Sequence, residues 1–202
     1  MSAALVILAS ASPRRTQLLQ QIGVAHRVVP AQVDERRCPG EPIEDCVRRL
    51  ARHKALQVQM AGAQLPVVGA DTAVVIDDEM LGKPRDRADG LAMLARLSGR
   101  WHQVLTAVAL ARVDVMQCRL SRSEVRLRDL SAPECEAYWD SGEPRDKAGG
   151  YAIQGLGAAF VQELRGSYSG VVGLPLFETA QLLAEAGVWS YQQWHRSHPL
   201  SR

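Results

Sequence analysis

Hydrophobic residues along the chain occur in two patterns, short unbroken runs and longer segments with a period of three to four residues. Unbroken runs at residues 3–9 and 66–77 predict buried β-strands. The second of these strands is expected to break near Asp71 and Thr72. A period of three to four residues over positions 43–61 predicts a long helix. Strands that alternate with helices in this way indicate an α/β protein.

The remaining elements are predicted from helix-end signals and from the same two patterns. Ser12 before Pro13 is typical of a helix start, and Ser131 to Glu134 form a capping box at another. The polar segment from Trp189 predicts a C-terminal tail, residues 189–202, after one domain of two lobes, residues 1–188. The other predicted elements are helices near 13–22, 86–97, 131–140 and 175–186, and strands near 26–30, 103–112, 114–127, 158–164 and 170–172.

Composition narrows the class of protein. The chain has 202 residues, 47% of them hydrophobic, and a net charge of +2. A nucleic-acid-binding protein usually has a strong basic excess, so stable nucleic-acid binding is not expected. No apolar run reaches the roughly 18 residues of a membrane span, and no signal-peptide pattern is present. The four cysteines lack CxxC spacing, which predicts free thiols in a cytoplasmic protein.

The segment from Ser10 to Arg15 combines hydroxyl groups, a predicted helix start and two arginines. Backbone N–H groups at a helix N-terminus bind phosphate, and arginine adds charge-assisted hydrogen bonds to phosphate oxygens. Ser10, Ser12, Arg14 and Arg15 are therefore candidate phosphate ligands. The alternative is an ordinary capped helix with two solvated arginines.

Acidic residues occur at two places where they could do chemistry. Asp71 follows a buried strand segment, where a carboxylate is costly unless it is paired, binds metal or transfers a proton. Thr72 beside it could be a ligand donor or a plain strand residue. Asp34 and Glu35 could hold a hard cation such as Mg²⁺, which takes one or two carboxylates plus substrate phosphates. The alternatives are an ordinary turn aspartate and a solvated acidic pair.

Lysine is scarce, with three lysines against 21 arginines. Because lysine is a compact point charge that arginine does not replace, Lys54, Lys83 and Lys147 are of interest. Gly82 and Pro84 predict a tight loop around Lys83, although a simple exposed turn fits as well. Gln154 follows paired glycines, and its amide could match the O4 and N3–H edge of uracil or thymine. The alternative is a surface glutamine in a glycine-rich loop.

Together these segments resemble the Maf family of nucleotide pyrophosphatases over about residues 5–185. Each fragment is short, and the specificity lies in their joint order and spacing. The fragments that carry the resemblance are Leu8 to Arg15, Asp34-Glu35, Arg52 to Ala55, Val68 to Thr72, Gly82 to Arg85, Leu97 to Gly99, His102 to Val104, Thr106 to Val108, Asp146 to Gly149, Tyr151 to Gly155, Gly166 to Tyr168 and Val171 to Pro175.

The resemblance implies an α/β fold of the Maf and ITPase type, with a central mixed sheet flanked by helices and two lobes around an active-site cleft. It implies cleavage of a nucleoside triphosphate to the monophosphate and diphosphate, a divalent cation (Mg²⁺ or Mn²⁺) and a homodimer. The loop at 150–155 is similar to the dTTP/UTP branch. The expected purpose of this hydrolysis is to cleanse nucleotide pools of non-standard nucleotides. The alternatives are a 7-methyl-GTP or other modified-nucleotide pyrophosphatase and a non-catalytic regulator of septum formation and cell division.

The resemblance also assigns roles to single residues. Asp71 is the expected proton acceptor, and Glu35 and Asp71 are the expected metal ligands. Glu35, Lys54 and Lys83 match catalytic positions. The expected substrate-binding residues are Ser10, Ser12, Arg14, Arg15, Thr72 and Gln154.

Overall fold

The computed structural model describes residues 5–190, and these residues form a mixed sheet with helices. Of the seven strands in this part of the chain, six follow the hydrogen-bonded order β2-β1-β3-β5-β6-β7, and the seventh, β4, pairs with β3. β1 is parallel to both β2 and β3. β4 is antiparallel to β3, and β7 is antiparallel to β6. The α/β class and the mixed sheet predicted from the sequence are thus confirmed. The strands are β1 Val6–Leu8, β2 His26–Val28, β3 Val67–Ile76, β4 Glu79–Leu81, β5 Trp101–Arg112, β6 Val115–Leu127 and β7 Val161–Arg165.

The helices agree with most of the predicted bounds. The capping box at the start of α4 is present, and Glu134 accepts a hydrogen bond from the backbone N–H of Ser131 at 2.8 Å. Three short 3₁₀ helices, Glu143–Asp146, Ala148–Gly150 and Leu156–Phe160, were not predicted. The α-helices are α1 Pro13–Gln21, α2 Ile43–Met60, α3 Arg87–Leu97, α4 Ala132–Asp140, α5 Tyr168–Val172 and α6 Leu176–Glu185.

Two local predictions were wrong. β3 runs without interruption through Asp71 and Thr72, so the expected break is absent. The expected strand at 170–172 is part of helix α5. There the hydroxyl of Ser167 accepts a hydrogen bond from the backbone N–H of Gly170 at 3.0 Å, which caps the first turn of the helix. This capping bond outweighs the strand preference of the two valines.

The chain divides into two compact units. The first unit contains the residues up to Asp71, Thr106–Ser121 and those from Gly173 onward, and the second contains Thr72–Leu105 and Arg122–Val172. The chain passes between the units within β3, β5 and β6 and again before Gly173. The boundary between a domain at 1–188 and a tail at 189–202 stays a prediction, because most of the tail lies outside the described residues.

Each unit has its own apolar core. In the first unit β1 is completely buried, and Leu19 of α1 and Leu183 of α6 are fully buried as well. In the second unit the core is formed by α3, α4 and the neighbouring strands. Tyr138 of α4 packs edge-on against Phe160 there, with 4.9 Å between the ring centroids. The four cysteines are free thiols, as predicted, and no helix in residues 5–190 is long and apolar enough to cross a bilayer.

Close packing of α2 on β3 depends on Gly69. A Cβ atom at this position would lie 2.4 Å from the backbone oxygen of Ala51 and 2.7 Å from the backbone nitrogen of Ala55. Both atoms belong to α2, the helix that carries Lys54. The absence of a side chain at Gly69 therefore lets the helix approach the strand that carries Asp71.

Gly69→Ala is expected to lower the free energy of unfolding by roughly 2–3 kcal/mol, because the added methyl group meets backbone atoms that cannot rotate away. Urea denaturation measures this loss. The matched control is Gly82→Ala, since a Cβ atom at Gly82 has no neighbour within 4 Å. Equal stability of the two variants would contradict this account of helix packing.

Candidate active site

The centre of the first unit's polar cluster is Lys54, a lysine on the buried side of α2. Its residue exposure is only 7%. The Lys54 Nζ atom lies 2.7 Å from Oδ1 of Asp71 and 2.6 Å from Oε1 of Glu35. One ammonium group therefore holds two carboxylates that are 36 residues apart in the sequence. Such a buried charge is tolerated because it is paired.

Asp71 has an unusual electrostatic environment for a carboxylate. Burial raises the pKa of Asp71 above its usual value, although the adjacent Lys54 ammonium and the Arg15 guanidinium pull it down. Glu35 raises it further. A carboxylate that is partly desolvated in this way holds a proton more readily than an exposed aspartate does. Asp71 is therefore suited to accept a proton from water.

The two adjacent acids predicted as a possible cation site do not act together. Asp34 turns to Arg36, whose guanidinium lies 2.6 Å away, and this hydrogen bond lowers the pKa of Asp34 to about 2. Glu35 instead reaches Lys54 with a side chain that is 58% exposed. The segment that follows Glu35 is held by Arg49. The guanidinium of Arg49 donates two hydrogen bonds to the carboxylate of Glu41 and one, at 3.1 Å, to the backbone oxygen of Arg36.

Arg15 at the start of α1 is held by the neighbouring backbone. Its NH1 group donates to Oγ of Ser10 at 3.0 Å, and its Nε donates to the backbone oxygen of Gly173 at 2.8 Å. Burial lowers the pKa of Arg15, while Asp71 opposes that effect and Arg14 adds to it. Ser12 occupies the N-cap position, but its side chain makes no capping hydrogen bond. Ser12 donates instead from its backbone N–H to Oγ of Ser10 at 3.2 Å.

The first unit thus brings together Lys54, Glu35, Asp71 and Arg15, with Arg14 close enough to affect Arg15 electrostatically. These residues come from α1, the loop before α2, α2 itself and β3. The cluster combines cationic groups that can bind an anion with a carboxylate that can accept a proton. Phosphate-transfer chemistry needs both kinds of group.

The other predicted site residues belong to the second unit. Thr72 follows Asp71 in β3 and is half-buried. Lys83 is exposed in the loop between β4 and α3, and that loop is tied by a 3.0 Å hydrogen bond from the backbone N–H of Gly149 to the oxygen of Gly82. Gln154 is exposed at a turn that is closed by a 3.1 Å hydrogen bond from Gly155 N–H to the oxygen of Ala152.

Sequence reasoning missed the residues that hold these loops in place. They are Glu41 and Arg49 in the first unit and Tyr138 and Glu143 in the second. Glu143 lies just before the Asp146 to Gly149 fragment, which carries part of the family resemblance. This position was the one signal in the sequence that could have identified Glu143. Lys147 pairs with Asp146.

The donor set fits a divalent cation that arrives with a phosphate substrate. Within the described residues no group of three or more His, Cys, Asp or Glu side chains could hold a metal ion. Glu35 and Asp71 nevertheless converge on one nitrogen atom, so their oxygens lie close together. Two carboxylates with phosphate oxygens match the usual coordination of Mg²⁺.

Comparison with known proteins agrees with the sequence resemblance. The dTTP/UTP pyrophosphatase of Saccharophagus degradans is 54% identical over 188 residues, which cover 90% of each chain. The dTTP/UTP pyrophosphatase of Methylobacillus flagellatus is 50% identical over 185 residues, 91% of this chain and 93% of that one. The solved structure of the Staphylococcus aureus Ham1 protein is 12% identical, with a TM-score of 0.40 over 61% of this chain and 72% of that chain. Residues 5–186 match the family described as Maf-like protein, and the chain belongs to this family.

Proposed function

We propose that this protein hydrolyses dTTP and UTP to the nucleoside monophosphate and diphosphate. Two relatives about half identical to it over nine-tenths of their length carry the name dTTP/UTP pyrophosphatase. The observation that carries the proposal is the half-buried carboxylate of Asp71, 2.7 Å from the ammonium of Lys54. The proposed role of the enzyme is to remove non-standard nucleotides from the cellular pool.

Cationic side chains bind the triphosphate in this proposal. Arg14, Arg15 and Lys54 supply positive charge from the first unit, and Lys83 is assigned to the same substrate by the family resemblance. Ser10 holds the guanidinium of Arg15 through a 3.0 Å hydrogen bond, so this cation is oriented before substrate binds. Preoriented charge of this kind is the main source of rate acceleration in phosphoryl transfer.

Asp71 activates water. Its carboxylate accepts a proton from a water molecule as that water attacks the α-phosphorus, and diphosphate leaves. Lys54 favours the ionised form of Asp71, since its positive charge opposes the effect of burial on the pKa of Asp71. General-base help of this type typically accelerates a reaction by about 10²–10⁴-fold.

Glu35 and Asp71 are the residues that would hold a divalent cation, Mg²⁺ or Mn²⁺. When bound, such an ion supplies positive charge to the phosphate oxygens. Glu35 is well placed for this because its side chain reaches Lys54 while remaining more than half exposed. The Lys54 ammonium contacts both carboxylates and limits their mutual repulsion.

The proposed determinants of substrate choice are Arg14, Thr72 and Gln154, with Gln154 binding the base. The exposed amide of Gln154 offers both a donor and an acceptor to a uracil or thymine edge. Gln154→Ala is therefore expected to lower kcat/KM for dTTP and UTP by about tenfold and to change the values for other nucleotides much less. The matched control is Gln162→Ala, an exposed glutamine on β7.

The test is diphosphate release from dTTP, UTP, CTP, GTP and 7-methyl-GTP with Mg²⁺ or Mn²⁺, measured for the wild type and both variants. The proposal predicts a wild-type preference for dTTP and UTP that Gln154→Ala reduces and Gln162→Ala retains. Preference for 7-methyl-GTP would contradict the substrate assignment. No hydrolysis of any of these nucleotides would favour the non-catalytic division regulator.

A cytoplasmic location and a homodimer complete the proposal. The free thiols suit a reducing compartment, and the dimer is expected from the family resemblance. Light scattering of the purified chain distinguishes a dimer from a monomer by mass.

A further inference from the structure

The carboxylate of Glu143 is surrounded by hydrogen-bond donors. Oε1 accepts from the hydroxyl of Tyr138 at 2.7 Å and from the backbone N–H of Gly157 at 3.0 Å. Oε2 accepts from the backbone N–H of Leu156 at 2.9 Å. The hydroxyl of Tyr138 in turn accepts from the backbone N–H of Ala152 at 3.0 Å. Glu143 and Tyr138 together therefore bind backbone groups on both sides of Gln154.

Two glycines allow this close approach. A Cβ atom at Gly155 would lie 2.0 Å from Oε2 of Glu143, and one at Gly157 would lie 2.7 Å from the hydroxyl of Tyr138. At Gly155 and Gly157 the backbone therefore lies too close to these two side chains to carry a side chain of its own. Shape and hydrogen bonding both fix the position of this segment relative to Glu143.

Tyr138, the side chain that supports Glu143, is itself tightly packed. Tyr138 is 4% exposed and packs edge-on against Phe160. Burial raises the pKa of Glu143, but the hydrogen bonds from Tyr138, Gly157 and Leu156 outweigh it, so the pKa of Glu143 lies below its usual value. Glu143 is consequently an anion at neutral pH whose two oxygens are already used by the protein. It is suited to hold the loop rather than to bind substrate.

We propose that Glu143, with Tyr138 as its support, is a positioning residue that fixes the 152–157 segment and thereby sets the selectivity of Gln154 for uracil and thymine over cytosine. This inference rests on the proposed function, in which Gln154 binds the base. Gln154 itself is exposed at the turn, between Ile153, which is buried, and Gly155, which is partly buried. Its amide can select one base edge only if the backbone beneath it is held in one place.

The test is Glu143→Gln, which keeps the size of the side chain but replaces one acceptor oxygen by an NH₂ group. In either amide orientation, an NH₂ group then faces a backbone N–H of Leu156 or Gly157. The expected result is a decrease of roughly tenfold in the ratio of kcat/KM for dTTP to kcat/KM for CTP, mainly through KM for dTTP. Tyr138→Phe keeps the ring packing and is expected to decrease the same ratio.

Glu163→Gln is the matched control, because Glu163 is an exposed glutamate of the same unit that pairs with Arg165. Hydrogen exchange of the backbone amides of Ala152, Leu156 and Gly157 is measured in each variant that remains folded. Faster exchange of these amides in Glu143→Gln and in Tyr138→Phe, together with an unchanged exchange rate in Glu163→Gln, supports the positioning role. If Glu143→Gln should unfold, Tyr138→Phe decides by the same two measurements.

A dTTP-to-CTP ratio in Glu143→Gln and Tyr138→Phe equal to that of Glu163→Gln would overturn the inference, provided that Gln154→Ala does lower the ratio. The proposed function then stands without it. A wild-type enzyme with no preference for dTTP over CTP would remove the proposed selectivity and this inference together. The two failures are therefore distinguished by the wild-type and Gln154→Ala measurements.

Discussion

Asp71→Asn is expected to lower kcat for dTTP hydrolysis by about 10²–10⁴-fold, because the substituted amide cannot accept a proton from water. The fold should remain, since the amide has the same size and can still accept a hydrogen bond from Lys54, which also keeps Glu35 as a partner. Steady-state diphosphate release measures the loss, and thermal unfolding checks the fold.

Asp77→Asn is the matched control for this change. Asp77 lies at the turn after β3, is exposed and forms an ion pair with Arg100. Its φ of 52° is a conformation that asparagine adopts readily. The control should therefore retain wild-type turnover. Near-normal activity of Asp71→Asn would remove Asp71 from the mechanism.

Lys54→Met is expected to affect both stability and turnover. It leaves the half-buried Asp71 without its closest counter-charge, and breaking such a pair costs about 3–5 kcal/mol of unfolding free energy. The lower end, about 3 kcal/mol, applies here because the side chain of Glu35 is 58% exposed. Turnover should fall by roughly 100-fold or more, since one of the charges that bind the phosphates is also lost.

The pH dependence of Lys54→Met separates this explanation from general damage. Lys54 lowers the pKa of Asp71, so its removal raises that pKa further. As a base, Asp71 works only above its pKa, and the acidic limb of kcat/KM should therefore move to higher pH. A carboxyl group with a raised pKa in the folded state favours folding at low pH and loses that contribution as the pH rises. The stability loss of Lys54→Met should accordingly be smaller at pH 5 than at pH 8.

Lys147→Met is the control for the stability measurement, because Lys147 pairs with Asp146, whose side chain is 69% exposed. An exposed partner makes the pair worth at most about 1 kcal/mol. Urea denaturation of the three proteins at both pH values gives the comparison. A loss in Lys54→Met that is the same at pH 5 and pH 8 would contradict the electrostatic explanation.

The elements and the buried position of Lys54 could be predicted from local pattern. Lys54 shares the helical period of the apolar residues of α2, which places it on the buried side of that helix. Asp71 was predicted from the cost of a carboxylate at a buried strand. The two side chains form an ion pair with each other, but Asp71 lies within β3 and not at the strand break that the sequence led us to expect.

Other features depend on distances between segments that are far apart in sequence. The divergence of Asp34 and Glu35 follows from the loop conformation, which Arg49 and Glu41 help to hold. The close packing at Gly69 needs the position of α2 on the strand. The helix at Tyr168–Val172 is a local exception, because its cap is a hydrogen bond between Ser167 and Gly170, three residues apart, that competes with strand preference. None of these follows from the period of hydrophobic residues.

Hydrolysis of dTTP by the wild type in ¹⁸O-labelled water, with mass analysis of both products, tests the central claim most directly. That claim is that water attacks the α-phosphorus, the step in which Asp71 is the proposed proton acceptor. The expected result is one ¹⁸O atom in the thymidine monophosphate and none in the diphosphate. Label in the diphosphate, or release of single phosphate groups, would contradict it.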